Sequence, residues 1–258
     1  MRKFDAYKDR YQTLKMERDA EGILLLTCHT DGGPLRWGAL PHEEWPEAFH
    51  DIAMDRENRV IILTGTGDEF SGPRPPAATR YARPVADMDR IVFDGRHLLA
   101  NLLEIQAPII AAINGPAIRH SEIPLLSDIV LASETADIED AGHFDSGLVP
   151  GDGVNLIYPL LMGMNRARYF LFTSQRLTAQ DALDLGLVNE VLPQDDLMAR
   201  AWFWARKLAK HNDMHLRNTR QILTLELRRK VQEHLGYTLT LEAMANLGRD
   251  KAPQTGTA

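Results

Sequence analysis

The sequence predicts an α/β protein: a mostly parallel sheet with helical crossovers, followed by a helical C-terminal layer. Three observations predict it. Four short runs are apolar throughout instead of alternating, as strands covered on both faces are. Segments of helical period lie between the runs, which gives strand–helix–strand order. After about residue 154 strand signals nearly vanish and helical patterns take over.

The elements follow in order. Residues 1–20 are polar and charged and read as an extended lead-in. Gly22–His29 is the first buried strand. Val60–Gly65, rich in β-branched residues, is the second; Pro108–Gly115 is the third and Asp128–Ala132 the fourth. Between the first two, His42–Asp55 carries Trp45, Ala48, Phe49 and Ile52 at helical spacing. Between the next two, Asp89–Ile105 places Ile91, Phe93, Leu98, Leu99, Leu102 and Leu103 on a face, and Pro108 follows its end. The segment Phe70–Ala77 holds three prolines and a glycine and reads as a loop. Beyond it all, Leu156–Leu161, Ala167–Phe172, Ala179–Leu185, Leu197–Ala209 and Met214–Ala245 read as helices.

Composition narrows the function classes. The 258 residues are 44% apolar, enough for a sizeable core. Net charge is −7 with both signs interspersed, which disfavours a nucleic-acid footprint. A single cysteine, Cys28, makes no intramolecular disulfide, so a cytoplasmic, reducing setting is expected. No stretch reaches the ~20 apolar residues of a membrane span. The N-terminus is basic but lacks an apolar h-region, so no signal peptide is read there.

Nine histidines are candidates for chemistry. His42, His50, His97, His211, His215 and His234 fall in helical, charge-rich stretches and are expected in solvent. His29 ends a strand, and its role stays open. His120 and His143 stand apart, because each follows a core strand at a glycine-containing turn, where α/β folds gather ligands and catalytic groups. The competing reading for either is a hydrogen-bonded structural histidine. Ala141–Gly153 is the densest segment: Gly147, Gly151, Gly153 and Pro150 permit tight turns that bring His143 towards Asp152. A carboxylate beside an imidazole fixes its tautomer and raises its pKa from ~6.5, which makes a base for water. Alternatively Asp152 caps the helix that begins at Gly153. No Cys-x-x-Cys pair suggests a metal, no phosphate or dinucleotide motif suggests a cofactor, and no Gly-x-Ser-x-Gly suggests a nucleophile elbow.

These stretches together resemble the crotonase (enoyl-CoA hydratase/isomerase) superfamily, from about residue 20 to about residue 245. Val60–Gly65, Pro108–Gly115, Ser127–Ala132, Gly147–Gly153 and Ala179–Val191 carry the resemblance. It implies a ββα spiral core over 1–195, a helical region over 196–258, and a trimer or dimer of trimers with the C-terminal helices at the interface. Departures are informative. The family's glycine run after Asn-Gly is replaced here by Arg119-His120-Ser121-Glu122, and His143 stands where hydratases hold a catalytic glutamate. Pro73–Pro76 replaces the loop that usually leads into CoA-contacting residues.

One branch, the 6-oxocamphor hydrolases and related β-diketone hydrolases, is similar in these very departures. That resemblance implies a His143/Asp152 catalytic pair, His120 as a second active-site histidine, Trp37 and Tyr81 as pocket residues, and Glu242 as a C-terminal carboxylate at the site. It implies cofactor-free retro-Claisen hydrolysis of a cyclic, in this branch bicyclic, β-diketone to a keto acid. Glu122 is a rival acid–base group, since it matches the hydratases' other glutamate. Two alternatives stay open: a hydratase or isomerase acting on a CoA thioester, and a non-catalytic binding module of the same fold. For Trp37 and Tyr81 plain core packing is the alternative, and for Glu242 a solvated helix face.

Overall fold

The structure is a computed structural model and describes residues 3–73 and 82–250. Its eight strands among these residues are β1 (Leu14–Arg18), β2 (Ile23–Cys28), β3 (Val60–Thr64), β4 (Ile109–Ile113), β5 (Ile129–Ser133), β6 (Asp137–Ile138), β7 (Leu177–Thr178) and β8 (Glu190–Leu192). The α-helices are α1 (Ala39–Met54), α2 (Val85–Glu104), α3 (Glu122–Leu125), α4 (Val154–Met162), α5 (Met164–Thr173), α6 (Ala179–Asp184), α7 (Gln194–Ala209), α8 (Asp213–Leu223) and α9 (Leu225–Leu247). The main sheet runs β1-β2-β3-β4-β5-β8, with β1 antiparallel to β2 and every other pair parallel. A short antiparallel pair, β6 and β7, stands apart from it.

Every residue of β3 and β4 is buried, which explains why both read as unbroken apolar runs. Alternate side chains serve two cores. Ile61, Leu63, Ile109 and Ala111 join the larger one with Trp45 and Phe49 of α1 and Leu98, Leu99, Leu102 and Leu103 of α2. Val60, Ile62, Ile110 and Ala112 face the other way, against Leu197, Ala201, Ala205 and Ala209 of α7. That stripe repeats every four residues, so one helix face lies along the sheet. Each large aliphatic side chain so enclosed contributes about 1.5–3 kcal/mol.

Three expectations need correction. The lead-in contains β1, an edge strand whose Leu14 and Met16 point inward while Lys15 and Glu17 point out. Two short strands do follow residue 154: β7 pairs with β6, and β8 is three half-buried residues paired with β5. The long helical pattern from Met214 to Ala245 is two helices that part at Thr224, whose hydroxyl turns back to the Arg220 carbonyl at 2.8 Å. No helix among the described residues is long and apolar enough to cross a membrane.

Candidate active site

Two adjacent loops carry the site, and their backbones are tied together. Beyond β4, Gly115 passes so close to the next crossover that a Cβ would lie 1.9 Å from the Asp68 carbonyl, so only glycine fits. The chain then runs extended: the Ala117 N–H donates to Asp137 O and the Ile118 N–H to Ser71 O, at 2.8 and 3.0 Å. The Glu139 and Ala141 N–H groups donate back to Ala117 and Ile118. Ser71 Oγ holds the Arg119 carbonyl at 2.5 Å. This ladder sets residues 119–122 beside residues 139–143. At its end His120 takes φ +50°, a left-handed conformation that costs a non-glycine residue energy and persists only where surroundings impose it.

His143 sits among three carboxylates. Its Nδ1 is 2.5 Å from Asp140 Oδ1; its Nε2 is 3.4 Å from Asp152 Oδ2 and 3.8 Å from Glu242 Oε1. His120 Nδ1 lies 2.7 Å from Glu122 Oε1 and 3.3 Å from the same Asp152 oxygen. The His120 ring lies on Trp37 with centroids 4.1 Å apart, and His42 meets its face edge-on at 4.9 Å. Trp37 Nε1 donates to His42 Nε2 at 2.9 Å, so the His42 proton resides on Nδ1.

Glu242 arrives from α9. Val231, Leu235, Leu239, Glu242 and Asn246 form the buried face of that helix. Its close approach to the site requires Gly151, where a Cβ would come 2.4 Å from the Thr238 carbonyl; Thr238 Oγ1 in turn donates to Gly151 O.

Electrostatics separates these groups. Burial opposes charge on His143, but Asp140 and Asp152 outweigh it and hold the imidazole well above its ordinary pKa. Burial pulls His120 down to about 4, and pulls His42 well below its ordinary value. Burial pushes Glu242 up to about 7 against the partial offset of His143, and pushes Glu122 well above the usual range, helped by Asp152. Asp152 stays below the usual range: burial resists, and the charge and hydrogen bond of His143 prevail. The site therefore holds an imidazolium–carboxylate pair next to a neutral imidazole, with two carboxyls that readily keep a proton.

The expected residues lie as follows. His143, Asp152, His120, Glu242 and Trp37 converge on one cluster; Tyr81 lies outside the described residues. Trp37 also packs on Trp45 in the core, so both readings of it apply. Asp152 was expected to orient His143, but the shorter contact belongs to Asp140, which sequence reading missed inside the acidic run Glu139-Asp140. His42 was assigned to solvent; it is half-buried in the cluster because α1 begins only at Ala39, which leaves its first turn beside the Trp37 loop. The metal search by spacing also missed a convergence: His120, Glu122 and Asp152 bring three ligand atoms within 4.8 Å of one another. A cation would fit that donor set.

A cavity of about 50 Å³, room for little more than a water, opens on His143, Asp152, Glu242 and His120. An outer chamber of about 550 Å³ shares His42, Arg83, Ile91 and Arg119 with it and is walled by Trp37 and Pro73.

Residues 40–247 match the enoyl-CoA hydratase/isomerase family model. The chain belongs to that family, the crotonase superfamily. A β-diketone hydrolase from the cyanobacterium Anabaena sp. PCC 7120, solved with (S)-3-oxocyclohexyl acetic acid, is 45% identical; the match covers 94% of this chain and 97% of that one, with a TM-score of 0.89. An enoyl-CoA hydratase/isomerase from Mycobacterium paratuberculosis is 26% identical over 93% and 95% of the two chains, TM-score 0.84. Carnitinyl-CoA dehydratase of Salmonella typhi is 30% identical over 194 residues, 74% of this chain and 73% of the relative. This crotonase-fold enzyme is thus similar both to a diketone hydrolase and to CoA-thioester enzymes.

Proposed function

We propose that this enzyme hydrolyses a carbon–carbon bond of a cyclic β-diketone, in a retro-Claisen reaction that yields a keto acid without a cofactor. One observation carries the reading: the His143 imidazole has Nδ1 held by Asp140 and opens, with Asp152 and Glu242, on a small cavity that can hold a water. The likeness to the Anabaena β-diketone hydrolase supports it.

The chemistry follows from the groups present. A carbon leaving group is too basic to depart unaided, and a second carbonyl in the β position turns it into an enolate. Neutral His143 takes a proton from water at Nε2, and the resulting hydroxide attacks one carbonyl carbon. The tetrahedral oxyanion collapses, the bond to the central carbon breaks, and the electron pair moves into the remaining ketone as an enolate. His120, kept neutral, serves as hydrogen-bond donor to the developing oxyanion. His143 then returns its proton to the enolate carbon. Water is added and nothing else is consumed. Such a positioned base typically contributes about 10²–10⁴-fold, and one oxyanion donor a further 10²–10³-fold. Asp152, shared by both imidazoles, couples their proton positions, and Glu242 adds a carboxyl to the face where water sits.

Incubation with a bicyclic 1,3-diketone in ¹⁸O-enriched water tests the reaction. A keto acid carrying one ¹⁸O in its carboxylate is expected. Turnover of an enoyl-CoA thioester with no cleavage of the diketone would sink the proposal and favour the hydratase reading, which the dehydratase relative and buried Glu122 support.

We also propose a trimer or dimer of trimers. Ile222, Leu223 and Leu225 at the α8–α9 corner are exposed apolar side chains that a neighbouring subunit would cover. Light scattering that returns a monomer mass would remove this part of the reading.

A further inference from the structure

Arg119, in the altered Arg119–Glu122 segment, has no part in the reaction above. It lines both the inner cavity and the outer chamber, as Arg83 does. Its guanidinium packs over the loop that carries the base: a Cβ built on Gly142 would lie 3.6 Å from Arg119 Nε. Among the described residues neither arginine forms an ion pair with a carboxylate. The segment 74–81, Arg-Pro-Pro-Ala-Ala-Thr-Arg-Tyr, contains no acidic residue either.

We infer that Arg119 and Arg83 form a carboxylate subsite at the junction of the two cavities, one residue from His143. This rests on the proposed retro-Claisen reaction, which ends with a carboxylate on the carbon that the water attacked. Two cations at the rim of a partly enclosed site repel one another, and burial together with Arg83 holds the Arg119 pKa below its ordinary value although Asp152, Asp140 and Glu122 partly offset them. An anion between them relieves both costs, and guanidinium groups bind carboxylates in bidentate fashion. The carboxylate comes from one of two sources: the one formed in the reaction, or one already carried by the diketone.

Calorimetric titration with 3-oxocyclohexyl acetic acid and with its methyl ester tests the subsite without turnover. The acid is expected to bind more tightly than the ester. Arg119→Gln should weaken the acid about tenfold to a hundredfold, leave the ester unchanged, and be partly rescued by Arg119→Lys. Equal losses for acid and ester, no loss at all, or a larger Arg119-dependent loss for ADP than for the acid would overturn the inference. If Arg119→Gln does not fold, Arg83→Gln and Arg119→Lys must show the same acid-over-ester discrimination lost in part, or the subsite fails. Kinetics separate the sources: a rise only in the inhibition constant of the product acid points to product, and a rise also in KM for a carboxylate-bearing diketone points to substrate. A protein that cleaves no diketone but binds the acid through Arg119 refutes the proposed reaction and leaves the subsite standing.

Discussion

The loop of His143 and the segment of His120 lie side by side, equally enclosed, each side chain 8% exposed. Both imidazoles reach the same oxygen of Asp152. Yet the pKa of His143 is held well above its ordinary value and that of His120 falls to about 4. The difference is the second carboxylate. Asp140 is charge-matched to His143 at hydrogen-bond distance. Glu122, the equivalent neighbour of His120, is itself pushed well above the carboxylate range by burial and supplies little charge. Burial therefore decides one histidine and ion pairing the other, so one small site holds a paired, readily protonated imidazole beside a neutral one.

Removing the paired histidine is the strongest way to break this contrast. His143→Ala should lower turnover of a diketone by about 10³–10⁴-fold, with the far-UV circular dichroism unchanged. Wild-type turnover in that variant would end its role as the base. Replacing the neutral histidine comes next. His120→Ala should cost about 10²–10³-fold, chiefly in kcat, as loss of one oxyanion donor does. Loss confined to KM would show that it only shapes the pocket.

The carboxylates sharpen the comparison further. Turnover needs neutral His143, so kcat/KM should rise with pH along a limb that lies above the ordinary histidine value of 6.5. Asp140→Asn removes a group that raises that pKa, so its limb should move to lower pH while the plateau falls about tenfold to a hundredfold. Asp152→Asn should also shift the limb down, with a smaller loss than His143→Ala because the imidazole remains. An unmoved limb in both variants would mean that another group titrates.

The smallest effect is on stability. With a folded pKa of about 4, His120 binds a proton more readily in the unfolded chain, so stability falls as pH drops from 6.5 towards 4. His120→Gln should lose less stability over that window, by on the order of 1 kcal/mol in urea unfolding. Parallel curves for variant and wild type would place the His120 pKa near its ordinary value.

Much of this was legible in the residues themselves. β2 to β5 announced themselves because strands covered twice leave no polar face, whereas the position of His143 in a glycine-rich turn left a hydrogen-bonded structural histidine equally open. What stayed hidden depended on contacts far apart in sequence. β1 reads as polar because it is an edge with one wet face, and β8 is too short to show a period. His42 looks like any solvated residue of an amphipathic helix until Trp37 and His120 are brought against it. Asp140 is one acid in an acidic run until the 117–141 ladder sets its distance to His143. Glu242 is spaced four residues from Thr238, and nothing local says that this face of α9 meets Gly151.

That last contact makes activity a report on folding. The cavity of the proposed site is lined by positions from His42 to Glu242, so no short segment of the chain contains it. If α9 lifts away, Glu242 departs and His143 is open to solvent, even while β3 and β4 keep their two cores. Local opening of this one helix would then silence the enzyme before the sheet melts, and loss of turnover on warming should precede loss of its circular dichroism.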